Sequence, residues 1–327
     1  MAFGVVALCV VTFAGAFAPW LAPYDPNEQV DALAGRLLPP GSTRYVVQHE
    51  HRRLLADEVQ RVDGEVRFLR LGEWRTLPAD PAGGNGAEAI GAEGDGIEDR
   101  RVFLLGTDKF GRDLLSRCLW GARVSLLLGA ASVVLALLIG VGVGAVAALG
   151  GRWLDLVLMR FVDGLLAFPW IFLLIALTAF FPTDLPTLVL LLGGTAWMPI
   201  SRLARAEIQS LAGRDFVLAA HGLGIHPVRV FLRHVLPNVA SPLAVEATLR
   251  VGTLILVEAA ISFLGFGVQP PHASWGNLIA DGREHLSTAW WVALFPSLLL
   301  VVTLTSISLV SDGLRDLLDP ERPQPID

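Results

Sequence analysis

The feature that most constrains this chain is a series of long apolar runs with almost no charge. About 20 helical residues cross about 30 Å of hydrocarbon, so a run of that length reads as a membrane span. Six can be counted, at about 3–20, 123–149, 160–181, 185–203, 242–266 and 289–311. Lipid cannot satisfy free backbone groups, so each run is expected as a helix. The predicted fold class is therefore an all-α membrane protein with six transmembrane helices. Composition agrees, since 53% of 327 residues are hydrophobic, 17% are charged and the mean hydropathy is +0.57. An ordinary soluble domain of this size is far less apolar. In the second run Gly129, Gly140, Gly142 and Gly144 predict close helix packing, because small residues let backbones approach within lipid.

Arg and Lys in short loops set orientation. Arg152 and Arg160 lie between spans two and three, Arg202, Arg205, Arg214, Arg229 and Arg233 between four and five, and Arg315 and Arg322 after six. Those segments are expected to be cytoplasmic, with both termini inside. Pro182-Thr183-Asp184 carries no basic residue and the five-to-six connection only Arg283, so both should face outward. The first run ends in Ala16-Phe17-Ala18, which resembles a leader cleavage site, but it lacks a basic start. It is read as a retained span, 1–22, and the lack of a charged segment before Phe3 is compatible with a start further upstream.

The net charge of −6 is concentrated in one loop, with 15 acidic and 10 basic residues between Asp25 and Arg101. No basic tract points to nucleic acid. The loop, 23–103, is expected as an external insertion. Alternating residues on either side of Asp63-Gly64 within 57–71 are a hairpin signal, so a small β element is expected. Residues 82–96 are too poor in apolar groups to offset ordering and are expected to be mobile. Cys9 and Cys118 are read as packing residues, and His49-Glu50-His51 is too weak a pattern for a metal site. His272 and His285 in the external connection are read with the same caution.

The segment 213–238 carries the strongest functional signal. Asp215 is placed to cap a short helix, Gly224 to end it, Pro227 to open a second helix and Pro237 to close it. The result is a helix, a sharp turn and another helix outside the membrane, with Phe216, Ala219, Ala220, Leu223 and Phe231 along it, a shape suited to a cleft in another protein. The pattern resembles the coupling segment of ABC-importer permeases: Ala219, Ala220, Gly224, Leu236 and Pro237 stand at that motif's spacing. Leu218 replaces the usual Glu and His234 an aliphatic residue, which puts in doubt a polar contact to the ATPase but not docking itself.

Two further stretches are similar to the oligopeptide-permease branch. One is Leu105 to Ser125, where Thr107 or Asp108 is placed to cap an amphipathic surface helix that leads into the second span; a plain surface linker is the alternative. The other is Glu258-Ala259-Ala260-Ile261-Ser262-Phe263-Leu264-Gly265-Phe266-Gly267, followed by Pro270-Pro271 and Ser274-Trp275-Gly276. The resemblance covers 104–320, the expected permease core, with 321–327 as a tail. It implies a type I ABC-importer permease fold, the C-type subunit of the dipeptide, oligopeptide and nickel family. Implied partners are a homologous permease forming a heterodimer, two ATP-binding subunits or domains, a periplasmic or lipid-anchored solute-binding protein, and the bilayer of the inner membrane. No cofactor is expected on this chain; ATP and Mg belong to the partner subunits. The implied cargo is di- or oligopeptide, with nickel chelates and microcin-like peptides open.

Charges within spans mark functional candidates because they are costly in lipid. Glu246 and Arg250 are one turn apart and can pair at the inner end of a subunit interface, whereas Glu258 faces elsewhere. Glu258 is assigned either to the border of the translocation path or to interhelical hydrogen bonding, and Asp163 is likewise open between the two. A phosphate-cradling loop needs Gly-Lys followed by Ser or Thr, yet the only lysine is Lys109, between Asp108 and Phe110. The chain is therefore read as no enzyme. A secondary transporter working without ATPase subunits is the reading from another class, and would call for inverted repeats that the sequence does not display.

Overall fold

The structure is a computed structural model that describes residues 1–49, 52–62, 65–76 and 97–318. The expected mobile stretch 82–96, the Asp63-Gly64 turn, and Glu50 and His51 lie outside the described residues. Among the described residues three helices are long and apolar enough to cross a membrane: α3 (Leu114–Leu149), α6 (Leu185–Ala212) and α11 (Trp291–Leu318). A fourth span is formed if α4 (Arg152–Leu166) and α5 (Trp170–Phe180) count together. The remaining helices are α1 (Ala2–Ala16), α2 (Ala18–Leu21), α7 (Asp215–Gly222), α8 (Pro227–Val230), α9 (Leu236–Phe263) and α10 (Trp275–Arg283).

The run expected as one helix at 160–181 is broken in two and begins earlier, at Arg152. α4 and α5 meet at an 80° bend. Pro169 causes it, since its ring disfavours helical backbone at Phe168, and Pro169 itself is extended at ψ 104° as the residue preceding α5. The second, fourth and sixth runs extend beyond their expected limits as helices. α3 alone has 36 residues, about 54 Å at 1.5 Å each, so it projects out of a bilayer core.

α3 is the central packing strut. A Cβ on Gly140 would lie 2.8 Å from the Ile200 side chain, and one on Gly144 2.7 Å from the Ser201 carbonyl, both on α6. Gly129 gives the same closeness to Ile255 of α9, whereas Gly142 faces open space. Three of the four expected packing glycines thus serve close approach. α1 lies along α11, with Gly4 against Leu309 and the Ser306 carbonyl.

The insertion after α2 holds two antiparallel three-stranded sheets. Strands β1 (Ser42–His49), β2 (Arg52–Ala56) and β6 (Ile97–Phe103) are ordered β2-β1-β6. Strands β3 (Glu58–Val62), β4 (Glu65–Arg70) and β5 (Glu73–Thr76) are ordered β3-β4-β5. β3 and β4 pair antiparallel, with Val62 facing Glu65 in register. Val47, Ala56, Val66 and Phe68 form a shared apolar core between the sheets.

Charged residues clamp the insertion to the chain leaving α2. The Arg53 guanidinium donates to Glu28 Oε1 at 2.7 Å and that of Arg101 to Glu28 Oε2 at 2.8 Å. Arg70 makes a bidentate contact with Asp31 at 2.8 and 3.1 Å, and the Leu55 backbone N–H donates to the same carboxylate. Burial by itself would raise the Asp31 carboxyl, but Arg70 and the N–H groups of Ala34 and Leu55 outweigh it and hold it below its ordinary value. The Arg101 hydrogen bond lowers Glu28 in the same way.

Candidate functional site

The helix, turn and helix expected at 213–238 are present at the end of the bundle opposite the insertion. α7 starts with Asp215 inside its first turn, so the expected capping role is corrected: the Arg214 carbonyl accepts from the N–H groups of Val217 and Leu218 at 2.9 and 3.1 Å and holds the cap position. Asp215 still places a negative charge at the positive helix end. α7 ends where Leu223 N–H reaches the Ala219 carbonyl and Ile225 N–H the Ala220 carbonyl, around Gly224 at φ +74°. That left-handed conformation is one glycine adopts freely. Pro227 then opens α8, behind His226, whose Nδ1 accepts from Val228 N–H.

Pro237 does not close the second helix, and this expectation is corrected. α8 runs into one π-helical turn, Phe231–Val235, and directly into α9, with Pro237 in the first turn of α9. Pro237 has no N–H to donate to a carbonyl in the turn before it. The shifted bonding of the π turn, with Leu236 N–H on the Phe231 carbonyl, absorbs the mismatch, and the Asn238 side chain donates to the His234 carbonyl at 2.6 Å. The docking-shaped segment is therefore continuous with a helix that traverses the bundle.

Within the segment Val217, Ala220, Val230 and Val235 are buried in the main core and anchor it to α6 and α9. Asp215, Phe216, Ala219, Gly224, Pro227 and Pro237 are exposed, and Leu236 is half-buried. Leu218, Leu223, Val228 and Leu232 are exposed as well, so the free face is strongly apolar.

The intramembrane charges separate as follows. Arg250 donates to Glu246 at 2.6 Å, and both are half-buried on α9. Asp163 on α4 lies 3.7 Å from Arg202 on α6, exposed on both sides. Asp155, one of the charges sequence reasoning missed, takes a bidentate contact from Arg205 and ties α4 to α6 more tightly.

Glu258 is fully buried and has no open face within this chain. Its Oε1 accepts from Ser262 Oγ at 2.6 Å and its Oε2 from Ser125 Oγ of α3 at 3.3 Å. Ser125 Oγ accepts from Trp275 N–H, and Ser262 Oγ from Val268 N–H. One carboxylate thereby ties α3, the end of α9 and the start of α10 together.

The stretch entering the second span departs from its expectation. No separate surface helix forms there; residues 107–113 make a tight loop, and Asp113 caps α3 by accepting from Ser116 N–H at 2.7 Å. Asp108 is fully buried and faces Arg112 at 2.6 Å and Arg117 at 3.4 Å, while Lys109 reaches Asp281 of α10 at 2.8 Å. The spacing of Asp108, Arg112 and Arg117 was the available signal for this cluster. Asp281 is distant in sequence and gave none.

A bundle of long apolar helices with a glycine-turned helix pair presented at one end is the fold of a membrane permease of ABC importers. The chain belongs to the family of binding-protein-dependent transport system inner membrane components, which matches residues 140–322. Residues 1–40 match the N-terminal TM domain of oligopeptide transport permease C. Among similar proteins is a di/tripeptide transport system permease protein, DppC, of Pseudomonas aeruginosa, 35% identical over 97% of this chain and 87% of its own length. Another is the oligopeptide transport system permease protein OppC of Haemophilus influenzae, 39% identical over 67% of this chain and 70% of its own length. A solved chain of the MetNI methionine ABC transporter, inward facing, superposes with a TM-score of 0.51 at 19% identity over 63% of this chain and 96% of that one. The fold is that of ABC-importer permeases, with a small sheet insertion added.

Proposed function

We propose that this chain is one of two permease subunits of an ATP-driven importer of di- or oligopeptides. The observation that carries this is the exposed helix pair around Gly224, anchored in the core and continuous with α9. The peptide cargo is supported by the names of the DppC and OppC relatives. In this reading α1, α3, the bent α4–α5 pair, α6, α9 and α11 are six spans, with both termini and the segment 213–238 in the cytoplasm and the insertion outside. A homologous permease completes the path as a heterodimer, and a solute-binding protein delivers cargo at the insertion end. ATP and Mg bind on two separate ATPase subunits or domains. Closure of those subunits pushes on α7, and α9 carries the push into the bundle. Asp215, Phe216, Ala219, Ala220, Gly224, Pro227, Leu236 and Pro237 form the coupling element, Glu246 and Arg250 brace an interface near the inner end, and Asp163 and Glu258 hold spans that move. The permease supplies geometry and no bond chemistry, so its affinity for cargo must differ between its two states to drive net movement.

The test is reconstitution of the purified assembly in proteoliposomes. Uptake of a labelled dipeptide is expected only with the ATPase polypeptides and ATP present. Vectorial uptake by vesicles that contain no ATPase polypeptide would refute the reading.

A further inference from the structure

The free face of 213–238 has a definite chemistry. Leu223 is 81% exposed and Leu218 56%, and Phe216, Val228 and Leu232 join them. Arg214, Arg229 and Arg233 are exposed and form no ion pair with any described residue. Asp215 is the only carboxylate in the segment. Along α8 and the π turn lies an open pocket lined by His226, Val228, Arg229, Leu232 and Arg233, which brings two arginines beside two aliphatic side chains. Leu218 stands one turn after Arg214 on α7, where an acidic residue would pair with that arginine and cancel it. With leucine there, the face is apolar and cationic apart from Asp215.

Large apolar surface outside the spans marks an interaction site, and complementary charge selects its partner. We infer that this segment fits an ATPase groove that is apolar with an acidic rim, and that offers no basic residue opposite Leu218. The inference rests on the reading of 213–238 as the ATPase-docking element. A carboxylate of the partner enters the pocket between Arg229 and Arg233, and the groove floor receives Leu218 and Leu223. The complementarity is a difference of affinities, so this permease should reject an ATPase whose groove presents arginine or lysine at that place.

The test uses the whole complex, co-expressed from its own gene neighbourhood and purified through the permease. Leu218→Glu introduces an acid on an exposed helical position, so the bundle's thermal unfolding should not change. Retention of the ATPase is expected to fall at least about 10-fold, because an unpaired carboxylate then meets the apolar floor of a groove with an acidic rim. Leu218→Met should retain it fully, and the wild-type complex should loosen as salt rises. Equal or tighter retention by Leu218→Glu overturns the inference while the ATP-driven reading stands; this is also the result expected if the face rests on lipid headgroups instead. A wild-type permease that never retains an ATPase sinks the underlying reading, and the inference with it.

Discussion

At Gly224 the backbone sits at φ +74° with nothing within 4 Å of where a Cβ would stand. Valine there meets no neighbour, so the opposition comes from its own backbone, about 1–2 kcal/mol for a left-handed conformation. The turn should relax and misalign α7 with α8. Gly224→Val is expected to insert normally and to hydrolyse ATP in complex while dipeptide uptake falls severalfold, as parallel assays in proteoliposomes would register. Normal uptake would count against the coupling assignment. Glu258 predicts a different phenotype. Glu258→Ala leaves Ser125 and Ser262 without their acceptor and opens a hole among α3, α9 and α10, at about 2–4 kcal/mol. Thermal unfolding in detergent should drop accordingly, and an unchanged midpoint would refute the tie. Gly224 was legible in the sequence because a turn between two short helices demands one residue type. Glu258 was legible only as an anomaly: Ser262 stands one turn along the same helix, but Ser125, the partner that ties it to α3, is far away in sequence.

Among the elements, α3 and α6 approach closely because glycine stands where any side chain would collide. Gly140→Leu is expected to force α3 off Ile200 and to lower the yield of folded permease, overpacking that costs about 1–3 kcal/mol or more. Gly142→Leu, one residue pair away and facing open space, should be tolerated. Size-exclusion profiles of the two variants give the comparison, and equal profiles would refute the packing role. The hydropathy pattern displayed both glycines as equals, because composition does not say which side of a helix a neighbour occupies. The same averaging hid the bend between α4 and α5: residues 164–181 are apolar, and only Pro169 marked the break. The strands around 57–71 were legible from alternation and the Asp63-Gly64 pair, but the extension of β1 and β6 into a second sheet depends on pairing between distant segments.

For the whole molecule, the insertion is held to the chain leaving α2 through Glu28 and Asp31. Asp31 titrates below its ordinary value in the folded state, so its contribution to stability is present above the unfolded value of about 3.9 and is lost as pH falls through the folded one. Protection of 42–76 from proteolysis should therefore decline below about pH 4. Asp31→Asn should be loosened already at neutral pH and show a shallower acid response. A wild-type-like profile for that variant would show that the clamp is idle.

The path from Gly224 to Ser262 has a further consequence. α9 runs about 42 Å without interruption, Pro242 notwithstanding, from the π turn to the carboxylate tie at its far end. A strut of that kind reports in both directions. Whatever tilts its lower end alters the setting of Glu258, and whatever grips the upper end shifts the helix pair below. Thermodynamic reciprocity then makes occupancy at the two faces mutually dependent by one and the same factor. On the proposed function, the beam that delivers the motor's stroke is also the one through which cargo arrival would be signalled to it.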